Sequence, residues 1–245
     1  MNDDEPKARR LSLRSLAETA FSLISVVVVV YLLLCILVGL TQGWIYADDD
    51  SDGVALIDDL DPDGDGFDLF SDADADNDGE LNSAQSSDYA RSMVNLPYDP
   101  LMGKLHNILG MAGMVVCIDV PVRSWLRAGL SMPALLKQSA SLHPEWFRID
   151  QPNHPDSPFF YRRVRNYYQL FQNHPGLVRD DKPQAGDWAF YGATHIALVT
   201  AVSESGDIEL VEASPFKLRV VISTAEQMEE TWGPPSFFGR IKPHA

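Results

Sequence analysis

From Thr19 to Ala47 the sequence carries no charged side chain, and its interior, "SLISVVVVVYLLLCILVGL", is almost wholly Val, Leu and Ile. That run is longer than the ~20 apolar residues needed to cross a bilayer as a helix. Trp44 and Tyr46 close it, where amphipathic rings favour the membrane–water interface. A cleaved signal peptide would carry an apolar stretch of only ~7–15 residues, with a small residue where Ile45 stands. The pattern therefore predicts an uncleaved transmembrane anchor over residues 19–46. Lys7, Arg9, Arg10 and Arg14 precede the span and an acidic run follows it. The positive-inside rule then leaves residues 1–18 in the cytoplasm and exports the rest, to the periplasm or the extracellular side.

The acidity of the chain is local. Residues 48–99 hold 17 Asp and Glu against one basic residue, Arg91, a net of −16 that equals the charge of the whole chain. Residues 100–245 are balanced, so the overall acidity says nothing about what the C-terminal domain binds. Inside the acidic segment, Asp61, Asp63 and Asp65 precede Gly66, and Asp74, Asp76 and Asp78 precede Gly79. Alternate carboxylates can converge on one hard cation, and the glycine permits the turn that closes the loop. The second copy has an apolar Leu81 at the eighth position and Gln85, not a bidentate Glu, at the twelfth. The pattern is similar to extracellular calcium-binding acidic repeats, and it predicts weak Ca2+ binding by residues 47–99, set against an acidic spacer extended by its own repulsion. A helix is expected at "NSAQSSDYARSMV", capped by Asn82 or Ser83.

Residues 100–245 have ordinary globular composition. Ile118, Val122, Trp125 and Leu126 recur at helical spacing with Gly129 as a stop, and Phe160, Val164, Tyr167, Tyr168 and Phe171 form a second such stripe. "GDWAFYG", "HIALVTAV", "DIELVEAS" and "LRVVIST" then read as strands. Helices followed by strands predict an α+β domain with an antiparallel sheet. There is no phosphate-cradling glycine loop, no zinc cysteine pair and no basic nucleic-acid face.

The chain has two cysteines. Cys35 lies in the apolar run, so Cys117 has no partner in the exported part, and a leftover thiol in an oxidising compartment calls for a use. Cys117 precedes a helix, whose N-terminal N–H groups stabilise a thiolate; Pro121 fits the first turn of that helix and can delay its start. His195 opens a strand, and Glu212 lies in the next one, across the "SESGD" hairpin. A thiol, an imidazole and a third polar group are the parts of an activated nucleophile.

In order, "VVCIDVPVR", "QAGDWAFYGATHIALVTAV" and "LVEAS" resemble the NlpC-type branch of papain-like bacterial cell-wall cysteine peptidases. Gly186-Asp187 matches that family's turn, His195 its base and Glu212 its third position, which commonly carries His, Asn or Gln. Cys117-x-Asp119 and the "YRRVRNYYQLFQNH" helix, with Arg162, Arg163 and Asn166, resemble more narrowly an uncharacterised branch of unknown function. The resemblance covers most of residues 100–243. It implies a papain-like domain, with the Cys-bearing helix packed on the sheet, that hydrolyses a peptide or amide bond, on peptidoglycan stem peptides.

On that reading His195 takes the Cys117 proton, the thiolate attacks an amide carbonyl, and the imidazolium protonates the leaving amine. Glu212 would orient the ring and strengthen a thiolate–imidazolium pair. Asp119 would bind a stem-peptide amine or cap the helix. Arg162 and Arg163 would meet substrate carboxylates or water. Trp188 and Tyr191 would wall the groove or sit in the core. Two other classes stand beside the hydrolase: a calcium-tuned, membrane-tethered scaffold with an inactive domain, and a thioester-forming acyltransferase.

Overall fold

The computed structural model describes residues 13–40, 43–47, 50–66, 70–101, 114–150, 153–157 and 159–242. Residues 1–12 of the expected cytoplasmic segment, and residues 102–113, lie outside them.

The apolar run forms one helix, α1 (Leu13–Leu40), of 28 residues. At a 1.5 Å rise per residue it is about 42 Å long. Phe21, Leu23, Ile24 and Val26 to Val30 on it are exposed. Side chains are described continuously only over 19–33, and among the described residues no helix is long and apolar enough to cross a membrane.

The rest is α+β. Six strands, β1 (Leu177–Asp180), β2 (Trp188–Tyr191), β3 (His195–Val202), β4 (Ile208–Ser214), β5 (Arg219–Thr224) and β6 (Phe237–Ile241), form one antiparallel sheet in the order β1-β6-β2-β3-β4-β5. The four strands expected from sequence are β2 to β5. β1 and β6 are short and were carried by no alternation signal. Helices α2 (Asn82–Ser92), α3 (Asp119–Arg127), α4 (Met132–Leu142), α5 (Val164–Asn173) and α6 (Ala225–Trp232) complete the domain.

Strand alternation divides the core in two. Trp188, Phe190, Ile196, Leu198, Val211 and Ala213 point to the face covered by α2, α3 and α5. Ala189, Tyr191, Ala197, Val199 and Leu210 point to the other face, where Met228 and Trp232 of α6 cover them. α5 buries the stripe its spacing predicts, Val164, Tyr167 and Phe171, against Trp188 and Phe190.

The acidic segment is not an extended spacer. Ile45, Leu56 and Ile57 form a small core with Leu126 of α3. The Trp44 ring meets Tyr89 edge-on at 5.5 Å and lies under the Arg127 guanidinium, so the residue expected in the membrane interface is docked on the domain. α2 is an integral helix: Ala90 and Met93 enter the main core, and Arg91 bonds Glu209 and the Thr200 carbonyl on the sheet. Its expected cap is displaced. Leu81 holds the N-cap position, with no side-chain cap bond, while Asn82 is spent bracing the preceding loop through Ala75 and Asp72. The apolar and aromatic side chains scattered among the carboxylates outweigh the repulsion that would have extended the segment.

Candidate active site

Glu212 follows Val211, which pairs with Leu198 across β3 and β4. Continuing that register sets Ala197 opposite Glu212, so His195, two residues along, shares Glu212's face as its diagonal neighbour. The side chains close that gap: His195 Nε2 bonds Glu212 Oε2 at 2.7 Å. Both are buried, at 1% and 4% exposure. A carboxylate only accepts, so Nε2 carries the hydrogen and Nδ1 is left as the proton-accepting nitrogen of the neutral ring. Ser223 on β5 donates to the other Glu212 oxygen at 3.4 Å. The Trp232 indole stacks on the imidazole, with centroids 3.8 Å apart and planes 9° from parallel. The exposed Phe216 ring lies 5.5 Å beyond Trp232. Neither Trp232 nor Phe216 was singled out from sequence. Nothing in their local pattern marks them, because α6 and the β4–β5 turn bring them to His195 only in the fold.

Cys117 sits in a turn just before α3, with Asp119 as the first helical residue and Pro121 inside the first turn, where a proline needs no N–H partner. The thiol is free and half-buried. Loss of water around the sulfur, and then the nearby Asp119 carboxylate, push it up to about 12; the backbone N–H groups of Ile118 and Cys117 oppose the rise, and Glu212 adds to it. This corrects the expectation of a helix-stabilised thiolate: the N–H groups are there, but desolvation and two carboxylates outweigh them. Among the described residues no hydrogen bond joins Cys117 to His195. Cys117 packs against the helix-covered core, whereas the His195 ring lies with Trp232 on the other face. The structure thus pairs His195 with Glu212 and leaves Cys117 protonated and separate.

Asp119 is a structural anchor. It is buried, accepts the Val116 N–H at 2.8 Å, and is gripped by Arg162, with Nε donating to Oδ1 at 2.9 Å and Nη2 to Oδ2. Burial alone would raise its carboxyl, but the charges of Arg162 and Arg123 and these bonds hold it down at about 2. Both side chains are buried and engaged with each other, whereas the sequence led one to expect contacts with substrate amines and carboxylates. The side chain of Asn166 is spent likewise, paired with Asn153 and the Phe160 carbonyl.

Trp188 is fully buried among Trp125, Tyr167 and Phe171, so it is core and not a groove wall. Tyr191 is buried beside His195 on the α6 face, their ring centroids 6.2 Å apart. Gly186, at φ +89°, makes the turn before β2, and its carbonyl accepts the Trp125 indole N–H at 2.8 Å. Asp187 is pushed up to about 6 by burial, against the pull of Arg240, which bonds both its oxygens. The Gly-Asp turn ties the start of β2 to α3 through Trp125 and to β6 through Arg240.

The six carboxylates named as metal ligands fall into two clusters, Asp61, Asp63 and Asp65 and then Asp74, Asp76 and Asp78, each with ligand oxygens within 4.8 Å of one another. In each loop the glycine N–H bonds the first aspartate: Gly66 to Asp61 at 3.1 Å and Gly79 to Asp74 at 3.0 Å. Asp61 Oδ1, Asp76 Oδ1 and Gln85 Oε1 are buried acceptors with no hydrogen-bond donor. A donor set of hard oxygens with unpartnered acceptors fits Ca2+ better than a softer metal.

No protein-family model matches the chain, and comparison with curated proteins finds no relative.

Proposed function

We propose that this chain is a membrane-anchored, exported cysteine hydrolase that cleaves an amide or peptide bond, in peptidoglycan stem peptides, with Cys117 as nucleophile, His195 as base and Glu212 as its orienter. The observation that carries the reading is the buried 2.7 Å bond between His195 and Glu212. It leaves Nδ1 able to accept a proton, in a domain whose one described cysteine lies in the turn before a helix packed on the other face of that sheet. The resemblance of the ordered motifs to NlpC-type peptidases supports the reaction class. α1, with its exposed apolar side chains and the basic residues before it, supports an anchor with the N-terminus in the cytoplasm.

In the mechanism the thiol rests protonated. Catalysis on this reading requires a rearrangement of the Cys117 turn or of the His195 ring on substrate binding, because Sγ and the imidazole rest on opposite faces of the sheet. His195 takes the proton as sulfur attacks the carbonyl, and Glu212 stabilises the imidazolium that forms. The imidazolium then protonates the leaving amine, and water hydrolyses the thioester. The Cys117 backbone N–H would donate to the oxyanion.

The separation of Cys117 from His195 and the raised thiol favour a second reading, a tethered binding module with an inactive peptidase-like domain. One experiment decides between them. Full-length protein in detergent is incubated with purified peptidoglycan, beside Cys117→Ala and His195→Ala. Muropeptide release by wild type alone supports the hydrolase. Equal release by all three removes Cys117 from the chemistry, and absence of release from all three favours the binding module.

A further inference from the structure

We propose that the loop from Asp74 to Gln85 is a calcium site completed by Gln85, and that its occupancy fixes α2 against the helix that follows Cys117. The inference does not depend on the hydrolase reading.

The loop has the twelve-position spacing in which ligands come from positions one, three, five, seven and twelve. Asp74, Asp76 and Asp78 fill the first three, the Glu80 backbone carbonyl falls at the seventh, and Gln85 at the twelfth. Gln85 lies in the first turn of α2, only 8% exposed, with its amide aimed into the cluster: Nε2 bonds Asp76 at 2.6 Å and Asp78 at 2.8 Å. Its Oε1, and Asp76 Oδ1, are buried without a donor. A half-turn of the amide exchanges its nitrogen and oxygen, so with a cation present Oε1 replaces Nε2 at the carboxylates. The amide then supplies the ligand that an acidic twelfth residue supplies elsewhere. One basic side chain, Arg127, shares the cleft of Asp63 and Asp76, and no ion pair joins it to them among the described residues.

The loop is wedged into the domain. At the end of α3, Gly129 (φ +75°) packs so closely on Ala75 that a Cβ there would lie 2.3 Å from the Ala75 carbonyl oxygen. Ser83 packs on Gly186, whose carbonyl holds Trp125 of α3. Ser86, Ser87 and Ala90 of α2 are buried. Drawing Gln85 toward a cation therefore tightens α2, the end of α3 and the Gly-Asp turn together.

The test follows thermal unfolding of the full-length protein in detergent, by tryptophan fluorescence. Calcium is titrated after chelation, with Mg2+ at equal ionic strength as control. Wild type is compared with Gln85→Glu, Gln85→Ala and the exposed-hairpin control Asp207→Asn. Calcium is expected to raise Tm with a half-point of ~0.1–1 mM, as in extracellular modules. Gln85→Glu adds a charged, bidentate ligand and should lower that half-point about tenfold, whereas Gln85→Ala should raise it about as much. Half-points indifferent to residue 85, or a Tm rise matched by Mg2+, would overturn the proposal. If Gln85→Ala fails to fold, Gln85→Glu alone decides. Because the readout is unfolding, an inactive protein leaves the test intact.

Discussion

Two buried pairs, each joining a carboxylate to a nitrogen donor, bear on the proposed nucleophile, and they are built to opposite ends. Asp119 and Arg162 meet through two hydrogen bonds, with the Val116 N–H completing the carboxylate's shell, and together they lock the turn that carries Cys117. His195 and Glu212 share one bond, capped by an indole face and a serine, and the imidazole keeps an accepting nitrogen. The first pair has no proton to trade at working pH; the second is organised around one. A charged pair that saturates itself holds shape, and a pair that leaves one atom open can do chemistry.

The sharpest way to break that comparison is to remove one partner of each. Asp119→Ala strands a buried guanidinium and should destabilise the fold by about 3–5 kcal/mol. Glu212→Gln still offers an oxygen to Nε2–H and should cost under ~1.5 kcal/mol, while muropeptide release falls. Urea unfolding of both variants measures this, and equal losses would mean that Glu212 is as structural as Asp119.

Acid is the next probe. The Asp119 carboxyl lies below its unfolded value of 3.8, at about 2. A depressed carboxyl contributes stability that is present above the unfolded value and lost as the pH falls through the folded one. The contribution is about 2 kcal/mol, and it should disappear between pH 4 and about 2. Asp119→Asn should flatten the urea midpoint over that window, and an unchanged slope in that variant would contradict the assignment.

A smaller effect concerns the thiol. With Cys117 held up to about 12, iodoacetamide should label it in the resting protein at least about tenfold more slowly than free cysteine at pH 8, because only the thiolate reacts. The rate should climb steadily with pH. A plateau below pH 7 would restore the thiolate–imidazolium pair expected from the sequence.

Much of the C-terminal half was legible before any coordinates. Alternation in 188–224 marked β2 to β5, and helical spacing marked α3 and α5, because each buries one face on a shared core. The His195–Glu212 pair followed from the hairpin between their strands. The acidic segment misled for a physical reason. Its charge pattern reads as repulsion and a spacer, while Ile45, Leu56, Ile57, Ala90 and Met93 are too scattered to announce a packed face. The site misled at Cys117 and Asp119. Helix starts and Cys-x-Asp spacing show backbone N–H groups and a carboxylate, but not that the carboxylate is buried and the sulfur stripped of water. Arg162, 43 residues further on, claims Asp119, and no local pattern reports that.

The central claim is that Cys117, silent at rest, becomes the nucleophile. The most direct measurement is intact-mass spectrometry of full-length protein mixed with solubilised stem peptides and quenched in acid during turnover. The account predicts a thioester adduct on Cys117 in wild type, accumulating or decaying with product release, and no adduct or product in Cys117→Ala. Product formed with no adduct in wild type, at an undiminished rate in Cys117→Ala, would contradict it.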